Sequence, residues 1–198
     1  MIQLVDSFLA KELEPKHFRV RSDAHVGTGI SKPFQFDWVG HARYIAHHYR
    51  PHATVVFLGA NEGFPLRWDG KRRNCCSRAW RKAYARRARM MMQSFERKGI
   101  GRVYWLTLPA ARPRAWNRIY RAVNLALGMA AKQAGDERVR LLDMGALFTP
   151  SGHFQQTIKR GGRRVSVRQR DGIHLNVRGA RIAARYVVRG MQRDKLFP

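Results

Sequence analysis

The stretch Ala53-Thr54-Val55-Val56-Phe57-Leu58-Gly59-Ala60-Asn61-Glu62-Gly63 decides the reading of the fold. Val55 to Leu58 is a continuous apolar run, closed by a glycine and followed by a polar turn. A run of that length is too short for an ordinary helix and suits a strand covered on both faces. Val103-Tyr104-Trp105-Leu106 repeats the pattern further along. Working outward from these two, strands are read at 2–6, 18–22, 54–58, 102–108 and 138–143. Helices are read at 8–14, 37–49, 77–98, 115–135 and 177–191. Ser77 has the character of an N-cap, and Gly99 ends that helix after Arg97-Lys98, where cations suit the dipole. Short apolar runs alternating with longer helical stretches predict an α/β domain built around a parallel sheet.

One segment breaks the rhythm. From Thr149 to Arg170 there is no helical stripe, and Gly161-Gly162 is placed to turn a hairpin between 155–160 and 163–168. A connection of that length in a compact domain is functional or mobile, and this one runs directly into Asp171. It is read as a cover over the site.

Composition narrows the class. At 198 residues and 44% hydrophobic, with five Trp, the chain is long enough for one sizeable core and is expected to be a single domain over 1–198. No stretch approaches the roughly 18 to 20 apolar residues of a membrane span. The opening residues lack the basic and apolar regions of a signal peptide, so the expected compartment is the cytoplasm, or the periplasm given an upstream signal. Cys75 and Cys76 are adjacent, a poor geometry for a structural disulfide with each other. With 39 Lys and Arg against 13 Asp and Glu, the net charge is +26, a field that attracts polyanions of any kind.

Four short motifs carry chemistry. Ser7 is expected between the first strand and the first helix, at the sheet edge where open α/β folds bind ligands. In isolation it reads as a helix cap. Asn61 is expected at a strand end between Gly59 and Gly63, where a side-chain amide donates to an oxyanion or merely makes an Asx-turn. Gly27 and Gly29 follow the second strand, and a backbone N–H at Gly27 is a further candidate donor. Asp171 and His174 are three apart, immediately before an amphipathic helix. A carboxylate at that spacing fixes an imidazole tautomer and stabilises the imidazolium formed when the ring takes a proton. No phosphate-loop or dinucleotide motif occurs, and neither His47-His48, His52 nor Cys75-Cys76 makes a metal-ligand pattern, so no cofactor or metal is expected. The cations Lys159, Arg160, Arg163, Arg164, Arg168 and Arg170 have no acidic residue among them. Arg163, Arg164, Arg168 and Arg170 are read as substrate-binding.

Together these parts resemble the SGNH (GDSL-type) hydrolase superfamily. Val5-Asp6-Ser7-Phe8 is similar to its first block, Gly27 to its second, Gly59-Ala60-Asn61-Glu62 to its third and Asp171-Gly172-Ile173-His174 to its fifth. Val5 and Glu62 depart from the usual glycine and aspartate. The resemblance implies a three-layer α/β/α sandwich with a flavodoxin-like parallel sheet of five strands, order 2-1-3-4-5. It also implies hydrolysis of an acyl ester without a cofactor. Ser7 is then the nucleophile, His174 the base and Asp171 its orienter. The Ser7 N–H, the Gly27 N–H and the Asn61 side chain form the oxyanion hole. The Arg-rich loop favours a small acyl group, such as acetyl, on a polar or anionic carrier such as a bacterial glycan. Two alternatives stand beside it: an acyltransferase using the same triad, and a nucleic-acid-binding protein on a hydrolase scaffold. The charge with interleaved aromatics supports the latter, although no nucleic-acid-binding module is recognisable and that reading is not favoured.

Overall fold

A computed structural model of the chain describes residues 2–135 and 137–197. The chain runs through α1 (Gln3–Leu13), a 3₁₀ turn (Glu14–Lys16), α2 (Trp38–His48) and β1 (Ala53–Val56). A hairpin of β2 (Leu66–Trp68) and β3 (Lys71–Arg73) leads into α3 (Arg78–Glu96), β4 (Arg102–Leu106), α4 (Arg114–Ala134) and β5 (Val139–Leu142). Then follow α5 (Met144–Phe148), a second hairpin of β6 (Thr157–Arg160) and β7 (Arg163–Ser166), and α6 (Val177–Arg193). Contacts divide the chain into two compact units.

The larger unit, Gly27–Leu108 with Arg114–Asp143, contains a parallel sheet of order β1-β4-β5. Val55 pairs with Tyr104, and Tyr104 in turn with Arg140. The central strand is the driest: Val103, Tyr104, Trp105 and Leu106 are all buried. An apolar run without alternation is what a strand covered on both faces requires. α3 packs on α4 and on α2. It starts where the Ser77 hydroxyl accepts from the Trp80 N–H, and it buries Trp80, Tyr84, Ala88, Met91 and Phe95 as one stripe.

The smaller unit, 1–26 with Pro109–Pro113 and Met144–Pro198, is built on α1 against α6. Val5, Leu9 and Leu13 form the buried stripe of α1. α6 answers with Ala180, Ala183, Ala184, Val187 and Met191. Asn176 caps α6 by accepting from the Gly179 N–H at 2.9 Å. Gly179 lies so close to the Val167 carbonyl that a Cβ would stand 2.2 Å from its oxygen.

Four expectations are corrected. Among the described residues the parallel sheet has three strands, not five, although the three retain their expected sequence order. Residues 2–6 are the N-cap and first residues of α1 rather than a strand, because Val5 repeats at Leu9 and Leu13 with helical spacing. Residues 18–22 pair with no strand among the described residues, and Arg19 and Arg21 are exposed, so the segment has no second face to bury. Cys75 and Cys76, finally, are joined as a disulfide, with their Cα atoms 3.1 Å apart. The hairpin turned by Gly161-Gly162 is present as expected. Among the described residues no helix is long and apolar enough to cross a membrane.

Candidate active site

The turn from Arg168 to Leu175 belongs to the smaller unit and carries Asp171 and His174. It is closed by an antiparallel bridge between Arg168 and Leu175 and by the Gln169 N–H donating to the His174 carbonyl at 2.9 Å. Within it, Asp171 Oδ1 accepts from the Ile173 N–H at 2.8 Å and the His174 N–H at 3.0 Å. The other carboxylate oxygen, Oδ2, lies 2.5 Å from His174 Nδ1. Burial pushes the Asp171 carboxyl up. The hydrogen bonds from the His174 ring and from the two backbone N–H groups outweigh it and hold the group below its usual value. An ionised carboxylate only accepts, so Nδ1 is the protonated nitrogen, and in the neutral ring Nε2 then presents a lone pair. The ring is half-exposed.

Two arginines fix that turn. Arg168 is buried, donates to the Ile173 carbonyl at 2.8 Å and to the Ala110 carbonyl at 2.5 Å, and stacks its guanidinium 5.6 Å from the Phe154 ring centre. Arg168, expected from the sequence to bind substrate, is thus buried and donates to two backbone carbonyls of its own unit. Arg112 donates through its backbone N–H to the Gly172 carbonyl, and through its side chain to the Arg170 carbonyl and to Gln156. Gly172 has φ +69°, and a Cβ there would stand 2.4 Å from the Arg112 Cβ. Arg163, Arg164 and Arg170 are exposed, with Arg164 donating to the Thr157 hydroxyl at 2.8 Å.

Ser7 is not where the sequence placed it. It sits inside α1, exposed, with its hydroxyl 3.4 Å from Asp6 Oδ1, while Asp6 Oδ2 accepts from the Ser22 hydroxyl. Among the described residues no hydrogen bond joins Ser7 to His174.

Gly27, Asn61 and Glu62 belong to the larger unit. The Asn61 amide donates to the Thr28 carbonyl at 3.3 Å and retains a second N–H on the same nitrogen. Gly27 has φ +74°, open to glycine without cost. Glu62 clamps the loop that follows: its two oxygens accept from the Ile30 and Ser31 N–H groups, each at 2.7 Å, and from the Tyr84 hydroxyl at 3.0 Å. Burial raises the Glu62 carboxyl, with these hydrogen bonds opposing it, and burial beside Glu62 pushes the Tyr84 phenol well up. Gly29 is needed for the fit, since a Cβ there would meet Glu62 Oε1 at 2.9 Å.

The clamps were missed in the sequence. Glu62 had one signal, an acid in the polar turn after an apolar run, in a chain poor in acids. Arg112 had none, because its partners, the Arg170 and Gly172 carbonyls and the Gln156 side chain, lie far along the chain.

Residues 1–190 match the family described as protein of unknown function (DUF459). The chain belongs to this family. DUF459 is SGNH-like, which agrees with the resemblance carried by the four motifs. A DUF459 fold of this kind is also similar to a solved one, the crystal structure of the lipase/acylhydrolase from Enterococcus faecalis. That similarity has a TM-score of 0.59 at 16% identity and covers 98% of this chain and 87% of the other. At that identity the likeness concerns the fold. No curated protein matches this DUF459 chain.

Proposed function

We propose that the chain is an SGNH-type hydrolase of acyl esters in which His174, oriented by Asp171, is the general base. The observation that carries this reading is the 2.5 Å contact between Asp171 Oδ2 and His174 Nδ1, on a turn that buries Arg168 to hold its shape. A serine hydroxyl gives its proton to Nε2 as its oxygen attacks the ester carbonyl. The imidazolium, held by Asp171, then protonates the departing alcohol, and water releases the acyl group by the same route in reverse. The Gly27 N–H and the Asn61 amide are the oxyanion donors of this reading. Ser7 enters it from the resemblance and not from the geometry. Among the described residues it makes no hydrogen bond to His174, so it is kept as the nucleophile to be tested while the reading rests on the dyad. The carrier is anionic and the acyl group small, which the charge of +26 and the exposed Arg163 and Arg164 support.

Treatment with a fluorophosphonate followed by intact-mass and peptide mapping tests it. One adduct is expected, strongly reduced in His174→Ala, and its position identifies the serine. An adduct that persists in Ser7→Ala moves the nucleophile elsewhere and leaves the dyad in place. Equal labelling of wild type and His174→Ala would remove the reading.

A further inference from the structure

The larger unit has a groove of about 420 Å³ that the chemistry above does not use, walled by Phe34, Phe64, Pro65, Leu66, Arg67 and Arg72. Two features set it apart from ordinary basic surface. The first is an exposed aromatic corner. Phe34 is 76% and Phe64 40% exposed, and their rings meet at 68° with centres 5.9 Å apart. Phe64 is nevertheless fixed, because its N–H donates to the Ser31 hydroxyl and its carbonyl accepts from Trp80 Nε1 at 2.7 Å. An apolar platform, anchored through the Phe64 backbone, faces water here.

The second feature is uncompensated charge. Arg67 and Arg72 stand directly opposite each other in the β2–β3 hairpin, an arrangement that costs stability for like charges. The Arg72 side chain makes no hydrogen bond to any described residue, and that of Arg67 reaches only the Gly70 carbonyl, at 3.4 Å. Lys32 adds a third cation 5.0 Å from the centre of the Phe64 ring, and its ammonium donates to the Gly27 carbonyl. A single oxyanion between the two guanidinium groups would turn their repulsion into paired charge-assisted hydrogen bonds.

We propose that this groove is a carrier subsite for an acidic sugar unit, its carboxylate between Arg67 and Arg72 and its apolar C–H face on Phe64 and Phe34. The assignment rests on the ester-hydrolase reading above and names its substrate class. Phe64 follows Asn61 by three residues on one strand-end loop, so the unit held here is a near neighbour of the candidate oxyanion donor in sequence. A corner of crossed rings suits a chair-shaped sugar, whereas a nucleobase is better served by a flat slot.

Isothermal titration of the full chain with trigalacturonate tests the subsite without any turnover. Binding is expected, about tenfold or more weaker in Arg67→Gln/Arg72→Gln and about three- to tenfold weaker in Phe34→Ala. Arg178→Gln/Arg189→Gln removes the same charge from α6, where both side chains are exposed, and is expected to bind as wild type does. Circular dichroism melting of each variant reports its folding. Wild-type affinity in the hairpin variant, an equal loss in the α6 variant, or no binding by wild type would overturn the proposal. So would an oligothymidylate that binds more tightly and loses its affinity in the hairpin variant, since the groove would then serve nucleic acid. Hydrolysis of p-nitrophenyl acetate by wild type is read separately: its absence removes the esterase reading, while the titrations still decide the groove.

Discussion

Asp171 Oδ2 stands 2.5 Å from His174 Nδ1, and the same carboxylate's other oxygen accepts both backbone N–H groups that lead into the imidazole. The carboxylate thus fixes the ring and the backbone that carries it. Asp171→Asn presents an amide where an acceptor is needed and favours the wrong tautomer. Turnover of an acetyl ester should fall by roughly three to four decades with the fold intact. A loss below tenfold would detach Asp171 from the mechanism.

The same pair makes a prediction about acid stability. The folded Asp171 carboxyl is held below its usual 3.8, so its contribution is present above that value and disappears as pH falls through the lower, folded one. Urea midpoints of wild type and Asp171→Asn should therefore differ at neutral pH and converge in strong acid. A difference that is constant with pH would contradict this.

Glu62 has the opposite sign. Its folded value is raised above the usual 4.5, so wild-type stability relative to Glu62→Gln is fullest below 4.5 and declines as pH rises through the raised value. The amide introduced by Glu62→Gln would also turn its own N–H toward the Ile30 or Ser31 N–H, leaving a buried donor unmet at a cost of about 1 to 3 kcal/mol. Denaturant titrations of both proteins across that range measure the slope and the offset together.

Gly172→Ala tests the support under the dyad. With φ +69° and the Arg112 Cβ only 2.4 Å from the added methyl, the turn must shift. The melting temperature should drop, and ester turnover should drop further than melting alone accounts for. Unchanged turnover would show that the Arg112 contact does not position His174.

Arg163 and Arg164 are exposed on β7, opposite Arg160 and Lys159. If this hairpin attracts an anionic carrier, kcat/KM for an acetylated acidic oligosaccharide should fall as salt shortens screening from about 10 Å at 0.1 M to about 3 Å at 1 M. Arg163→Gln/Arg164→Gln should show the same loss at low salt. Identical salt profiles for the variant and wild type would make this charge plain solvated surface.

What was legible follows from how each signal is written. Val103 to Leu106 declares a doubly covered strand because every position is apolar, and the structure buries all four. Asp171 and His174 are legible because both partners lie within one turn. Residues 2–6 misled because Ile2, Leu4 and Val5 fit a short strand as well as a helical face, and only Leu9 and Leu13 decide. The β2–β3 hairpin has an Asp69-Gly70 turn, but its strands are three residues each, too short to show an alternating pattern. Arg168 was read as a free cation because sequence shows its charge and not the Ile173 and Ala110 carbonyls it serves.

The central claim is that the Asp171–His174 dyad drives acyl-ester hydrolysis. Release of p-nitrophenol from p-nitrophenyl acetate by wild type and His174→Ala, at matched concentration and verified fold, tests it most directly. Turnover by wild type is expected, with the variant slower by about three decades or more. Equal rates in the two proteins would contradict it.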